Sequence, residues 1–529
     1  MCVASVRPLR KSAAALVAMT LLTSCAVGPD FKAPASPDVS RYTKEPLATR
    51  TSSTDAATGL SQHFAPGRDI PQEWWTLFRS KALNTLIRRA LNNNPNLQSA
   101  MATLRAANQA VYAQEGKFFP LVEGNFNPTY NQTSSALTPV PANNNLVYQL
   151  HTAQLQVNYT LDVWGLNRRT VESLRAQADN QRFQVEAAYL TLVSNIAVAA
   201  INEASLRAQI DATNQLIGIN TKMLDILKRQ LETGYANRND VALQEAALAQ
   251  AAATLPPLRK ALQQNRDLLS ALSGAYTSEE PRETFRLDDL HLPVDLPISL
   301  PSQLIEQRPD IRAAQETLHA ASAEIGVAVA NTLPNFTISG NVGYMNTALA
   351  GLLAPQNLFF TVAGSATQTL FDGGTLFHQL QESRDNYNAV AWSYRGTVIG
   401  AVQNVTDSLR ALQNDADALK AARGFETASK ISFDLAQQQM QTGYANILIL
   451  LTAQQTYLQA AIQVVQARAA RLTDTVALYQ SLGGGWWNRT APLPEKTLDV
   501  GTGEAKAVPA ADKREGFLRG FWFFPYQPD

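Results

Sequence analysis

From Gly165 the apolar positions recur at helical spacing without a break to Thr233, a run of roughly 100 Å at 1.5 Å per residue. Within it Ile210, Ile217, Leu224 and Leu231 fall on a heptad, which predicts a coiled-coil-like seam. A second run of this kind extends from Gly374 to Gln441. It carries Leu412, Leu419, Phe433 and Met440 on heptad spacing, with Glu426 interrupting the seam. Both runs end in the same pentapeptide, Thr233-Gly234-Tyr235-Ala236-Asn237 and Thr442-Gly443-Tyr444-Ala445-Asn446. A glycine closing one helical run and an Asn opening the next predict a helix end, a tight reversal and a new start. The return run after the first tip reaches about Gly274 and is divided at Pro256-Pro257 into two stacked helices. The return run after the second tip goes unbroken from Asn446 to about Leu482. The chain therefore makes two long helical hairpins.

Ahead of each long run the period changes. Helical spacing over Leu83, Leu86, Ile87, Ala90 and Leu91 resumes after Pro95 and stops before Pro120. Then Ala153, Leu155, Val157, Tyr159 and Leu161 alternate with Thr152, Gln154, Gln156, Asn158 and Thr160, a strand with one apolar and one polar face. A weaker partner strand lies around Leu121 to Tyr130, across a loop rich in Ser, Pro and Asn. The same order returns later. A helix from about Pro301 to Asn331 precedes a strand beginning at Asn335 with Phe336, Ile338, Val342 and Tyr344 on one face, and its partner alternates around Phe360 and Val362. Pro95 and Pro120 stand as far apart as Pro309 and Pro334, and Leu161-Asp162-Val163-Trp164-Gly165 aligns with Leu370-Phe371-Asp372-Gly373-Gly374. These matches indicate an internally duplicated domain. The predicted organisation is a signal peptide over 1–24, an N-terminal tether over 25–72, a first repeat over 73–275, a connector over 276–300, a second repeat over 301–482 and a loose tail over 483–529.

Composition narrows the class. The 529 residues are 17% charged with a formal net charge of zero, which excludes a basic nucleic-acid binder. Arg7, Arg10 and Lys11 precede an apolar stretch from Ser12 to Leu22 that is too short for a bilayer crossing. Leu22-Thr23-Ser24-Cys25 follows and resembles a bacterial lipobox, in which the Cys is acylated and becomes the first mature residue. Ala26 in the next position favours the outer membrane. With Cys2 removed, no internal disulfide is available. The five histidines show no metal-ligand spacing and no nucleophile motif is present, so neither cofactor nor catalysis is expected.

Four amphipathic strands cannot close a membrane barrel, and open sheet edges are not tolerated in lipid. Three copies give twelve strands, an even number, closed by cyclic symmetry. Helices this long, and this polar along their whole length, project away from the bilayer. The expected fold is mostly α with membrane β. Long periplasmic helical hairpins and four strands per chain form, as a trimer, a 12-stranded β-barrel continuous with an α-helical barrel. The polar strand faces line the pore and the apolar faces meet lipid.

The lipobox at Cys25 with Gly28-Pro29-Asp30-Phe31, the Trp74-Trp75 pair, the two tip motifs and the Leu482-Gly483-Gly484-Gly485-Trp486 end resemble outer-membrane efflux lipoproteins of the TolC-like, NodT-type class. The resemblance covers about residues 20–487. It implies a homotrimeric duct that joins a resistance-nodulation-division inner-membrane pump and a periplasmic adaptor to the exterior, passing drugs or other small molecules. A duct for type I protein secretion is the alternative. The resemblance places adaptor contacts and the closed aperture at the tips: Gly234, Tyr235, Asn237, Gly443, Tyr444 and Asn446 for contact, and Leu448 for the gate. Where the family commonly has an Asp after that Leu, this chain has Thr452, and Asp240 in the first repeat is the other source of charge near the opening.

Overall fold

The computed structural model describes residues 26–36, 41–46, 48–55, 58–134, 147–442, 444, 446–498 and 505–507. Strand β1 (His63–Pro66) leads into the short helical turn of Trp74–Phe78 and helices α1 (Lys81–Asn93) and α2 (Pro95–Glu115). Strands β2 (Leu121–Gln132) and β3 (Val147–Leu161) follow, then the 67-residue helix α3 (Leu166–Glu232). The return arm is α4 (Arg238–Ala253) and α5 (Leu255–Leu272), divided at Thr254 before the two prolines. Prolines lack the N–H that would continue the helical ladder. Strand β4 (Asp295–Ile298) and the turn α6 (Leu304–Gln307) lead to α7 (Pro309–Asn331), strands β5 (Asn335–Asn346) and β6 (Leu358–Thr367), the 67-residue α8 (Thr375–Gln441) and the 35-residue α9 (Ile447–Ser481). The order from α7 to α9 repeats that from α2 to α5.

The four long strands form one antiparallel sheet in the order β2-β3-β5-β6, so the two repeats meet at β3–β5. Below it the helices pack around a core in which Trp74, Trp75 and Phe78 are buried against Tyr189 of α3 and Tyr479 of α9. Trp74 stacks on Tyr479 with ring centroids 5.1 Å apart.

Three details differ from the sequence reading. In α3 the buried apolar positions near the tip are Leu216, Met223, Leu224 and Leu227, whereas Ile210 and Ile217 of the heptad seam are only partly covered. Both α3 and α9 contain an apolar window long enough for a bilayer; that of α3 is 67% buried in the chain's own core, which accounts for its composition. The described parts of the tether and tail are tied down. Strand β1 pairs in parallel with β4. The guanidinium of Arg471, fully buried, donates to Thr58 O, Leu60 O and Thr51 Oγ1 at 2.7–2.9 Å. Tail residue Arg489 ion-pairs with Glu186, and Glu495 with Arg105. Backbone pairing and polar contacts with distant helices hold these segments, and neither requires a hydrophobic period.

Candidate functional site at the helical tips and the strand sheet

At the first tip Gly234 has φ 78°, the left-handed conformation that a β-carbon penalises. Tyr235 N and Ala236 N both donate to Gln230 O, at 2.7 and 3.2 Å, closing α3. Asn237 Oδ1 accepts from Asp240 N at 2.9 Å and Asp240 Oδ2 accepts from Asn237 N at 3.4 Å, a reciprocal capping box. The Asp240 carboxylate is thus engaged at its own helix start. The second tip keeps half of this. Asn446 Oδ1 accepts from Ile449 N at 3.1 Å, and Ile449 has no carboxylate to return the bond. Gly443 lies outside the described residues. Tyr444 N donates to Gln439 O at 2.9 Å, matching the Tyr235 bond. Tyr235 and Tyr444 are 87% and 88% exposed, so neither ring packs its turn.

The two hairpins lean on one another. Met223, Leu227 and Val241 of the first cluster with Phe433, Ile447 and Leu450 of the second. Gln244 Nε2 reaches Asn220 Oδ1 at 2.8 Å inside the first hairpin. Leu448 and Thr452 sit one turn apart on the exposed side of α9, with Thr452 Oγ1 donating to Leu448 O at 2.9 Å. Together with Ile449, Thr456 and Ser432 they line a concavity of about 360 Å³ that contains no ionisable side chain.

The register of the sheet sorts its side chains by row. Val122, Val157, Gly340 and Val362 lie side by side across the four strands, as do Gly124, Leu155, Val342 and Phe360. The intervening rows read Glu123, Gln156, Asn341, Thr361 and Asn127, Thr152, Met345. Alternate rows point to opposite faces. One face is therefore almost wholly apolar and the other mostly polar, and on the apolar one Val122, Leu155, Phe360 and Val362 are exposed.

Sequence reasoning missed how strand passes to helix. Asp162 accepts from Asn167 N and Arg168 N at 2.8 and 3.1 Å, and Asp372 accepts from Gly374 N and Leu376 N at 2.9 and 2.8 Å. Donation from the Leu376 amide leads the effects that hold the Asp372 carboxyl below its usual range. The aligned Gly165 and Gly374, each with an Asp two or three residues before it, were the available signal. Trp164 Nε1 donates to Pro334 O at 2.8 Å and ties the first corner to the junction of α7 with β5.

At the first corner the N-terminal segment is seated. Val27 N donates to Trp164 O at 3.0 Å. Arg169, its side chain 5% exposed, donates to Val27 O, Gly28 O and Asp30 Oδ1 and pairs with Glu172 at 2.7 Å. Phe31 stacks on His319 at 4.4 Å, and His319 lies between Glu172 and Glu316, 3.2 Å from each. A β-carbon on Gly28 would stand 2.4 Å from the Gly326 Cα, so only glycine permits this approach. Cys25 lies outside the described residues, directly before this seat. Among the described residues no three His, Cys, Asp or Glu converge as metal ligands.

Known proteins share this build. The chain is 27% identical over 480 residues to an antibiotic efflux pump outer membrane protein of Pseudomonas putida, covering 89% of this chain and 94% of that protein. It is 28% identical to a pyoverdine export outer membrane protein of Pseudomonas aeruginosa over 83% of this chain and 94% of that one. Nodulation protein T of Rhizobium leguminosarum is 25% identical over 93% and 97%. Among solved structures, the outer-membrane channel OprN superposes with a TM-score of 0.78 at 24% identity, covering 87% of this chain and all of that one. The Campylobacter jejuni CmeC channel does so with 0.77 at 19%, covering 87% and 95%. The family model described as outer membrane efflux protein matches residues 86–275 and 300–484, both repeats, and the chain belongs to the outer membrane efflux protein family.

Proposed function

We propose that this outer-membrane protein is a passive duct of a tripartite efflux system, carrying drugs or other small molecules from an inner-membrane pump of the resistance-nodulation-division class through a periplasmic adaptor to the exterior. The observation that carries the reading is the register of the sheet: apolar rows alternate with polar rows across all four strands. Such a sheet suits lipid on one side and water on the other. Its two edges, β2 and β6, have no further strand beside them among the described residues. Three copies joined edge to edge close twelve strands and leave no edge in lipid. The α3 and α8 helices, each of 67 residues or about 100 Å, continue the tube into the periplasm.

Acylated Cys25 anchors the chain in the membrane. Tyr235, Tyr444 and the turn residues around them, Gly234, Asn237, Gly443 and Asn446, meet the adaptor. Leu448 closes the aperture as a dewetting ring with the uncharged Thr452 ring behind it. The protein performs no chemistry of its own. Relatives named for antibiotic, toluene and pyoverdine export support small molecules over secreted protein as cargo. The test is cross-linking in mild detergent together with conductance in planar bilayers. Three chains and a water-filled pore are expected; a stable monomer with a closed barrel refutes the reading.

A further inference from the structure

Where the helices hand over to the strands, a cavity of about 760 Å³ opens on the polar face of the sheet. Leu121, Asn158, Thr160, Asn335 and Thr367, all from the rows of that face, form one side of it. Its ionisable lining residues are Lys117, from the helical turn Gly116–Phe118, and Asp162. Asp162 is paired with Arg168 at 3.2 Å, and Glu115 close by is paired with Arg175. Lys117 is exposed and has no ion-pair partner among the described residues.

Above this cavity the sheet is almost free of charge. Strands β2, β3, β5 and β6 contain no Lys or Arg and a single carboxylate, Glu123. The register sets Glu123 in the polar row with Gln156, Asn341 and Thr361. His151 belongs to the opposite face, in the row of Pro128 and Asn346. Glu123 is exposed and also lacks an ion-pair partner among the described residues. It stands on an edge strand, and β6, which meets β2 of the next copy in a closed trimer, has no cation to neutralise it.

Distances decide whether these charges act on what passes. Twelve strands about 4.8 Å apart and tilted by about 40° make a wall about 12 Å in radius. An inward-pointing carboxylate then stands within about 10 Å of the axis, one Debye length at 0.1 M salt. Phe119 is extended and β2 begins at Leu121, so Glu123 lies about 13 Å along the chain from Phe119, with Lys117 further back. The two charges are separated by more than the screening length and do not cancel as a pair.

We infer that the neck of the duct is a charge filter of two stacked rings, Lys117 on the helical side and Glu123 on the barrel side. The inference rests on the duct proposed above. A cation in transit is opposed at the Lys117 ring and an anion at the Glu123 ring, so neutral and zwitterionic small molecules pass with least hindrance. The concavity at Leu448 contains no ionisable side chain and adds no such bias.

The test is ion current through the full-length protein, inserted from one side of a planar bilayer in 0.1 M KCl. With the exterior positive, cations enter through the Glu123 ring and anions through the Lys117 ring, and both accumulate between them. Current at that polarity is expected to exceed the reverse by about threefold, which corresponds to about one kT of potential at the rings. The asymmetry should vanish in 1 M KCl, where the Debye length falls to about 3 Å. Glu123→Gln should lower the potassium-to-chloride permeability ratio and Lys117→Gln should raise it, each by about twofold. The double variant should conduct equally in both directions. Both side chains are exposed and unpaired, so the variants should fold. Repeating the set with Leu448→Ala covers the case in which the tip limits the current. Permeability shifts in the same direction for both variants, or no shift in either background, overturn the inference and leave the duct standing. A protein that carries no current in either background overturns the duct and the filter together.

Discussion

Replacing Arg169 by Ala should free the N-terminal segment from the body of the protein. The guanidinium donates to Val27 O at 3.0 Å and Gly28 O at 3.3 Å from a side chain that is 5% exposed. Its bond to Asp30 reaches a carboxylate that is 90% exposed, so that end contributes little. Two bonds from a charged donor at about 1.5 kcal/mol each give about 3 kcal/mol of local stabilisation. Losing it raises the population of the detached segment on the order of a hundredfold. Hydrogen exchange reads this at the Val27 amide, which donates to Trp164 O. Protection there should fall by about two orders of magnitude while amides in the middle of α3 stay unchanged. Arg169→Lys keeps the charge without the planar fork and should fall between the two. Protection of Val27 within about twofold of wild type would refute the reasoning. The seat would then be held by the Phe31–His319 stack and the Gly28 approach alone.

Leu448→Ala should widen the closed aperture and raise conductance in planar bilayers, and Thr452→Asp should increase cation preference; no change in either property would place the constriction elsewhere, with the Asp240 tip as the next candidate. Cys25→Ser should abolish acyl labelling, and label persisting on the variant would count against lipidation at that residue. Burial, and then the neighbouring Asp474, push Asp415 of α8 up to about 7, with Arg471 opposing. A carboxyl raised in the folded state adds stability that is complete below its unfolded value, about 4, and is lost as pH rises through about 7. The thermal midpoint should therefore fall from pH 5 to pH 8 in the wild type and fall less in Asp415→Asn; parallel slopes would show that Asp415 is not the group responsible.

What could be read from the sequence follows from the kind of interaction that leaves a trace there. The long helices, the four alternating strands and the two tips were legible because each rests on a period or on a turn residue within a few positions. Gly234 and Asn237 announce their own conformations, and the structure gives them a left-handed φ and a capping box. The parallel pairing of β1 with β4 was not legible, since it joins segments more than two hundred residues apart through backbone bonds. The hold of Arg471 on the backbone of Thr58 and Leu60 was hidden for a related reason. A buried guanidinium on an otherwise apolar helix face looks like a solvated charge until the carbonyls it serves are placed beside it. The seam through Ile210 and Ile217 was read as buried because a heptad cannot say which neighbour covers it. In the single chain the covered face of α3 lies beside it, through Leu216 and Met223.

One difference between the return arms of the two hairpins, the break at Thr254, is mechanical. On the first hairpin the arm is two short rods meeting at a joint where two successive residues cannot donate to the helical ladder. On the second it is one rod of 35 residues, about 50 Å, running from the Asn446 turn to the glycines that end it at Leu482. Bending at the first tip can be absorbed halfway along its arm. Bending at the second has no such relief and arrives at the Trp74–Tyr479 stack as a displacement of α9 as a whole. A duplicated gene segment has thus yielded two unequal levers, one compliant and one stiff, and the stiff one carries Leu448.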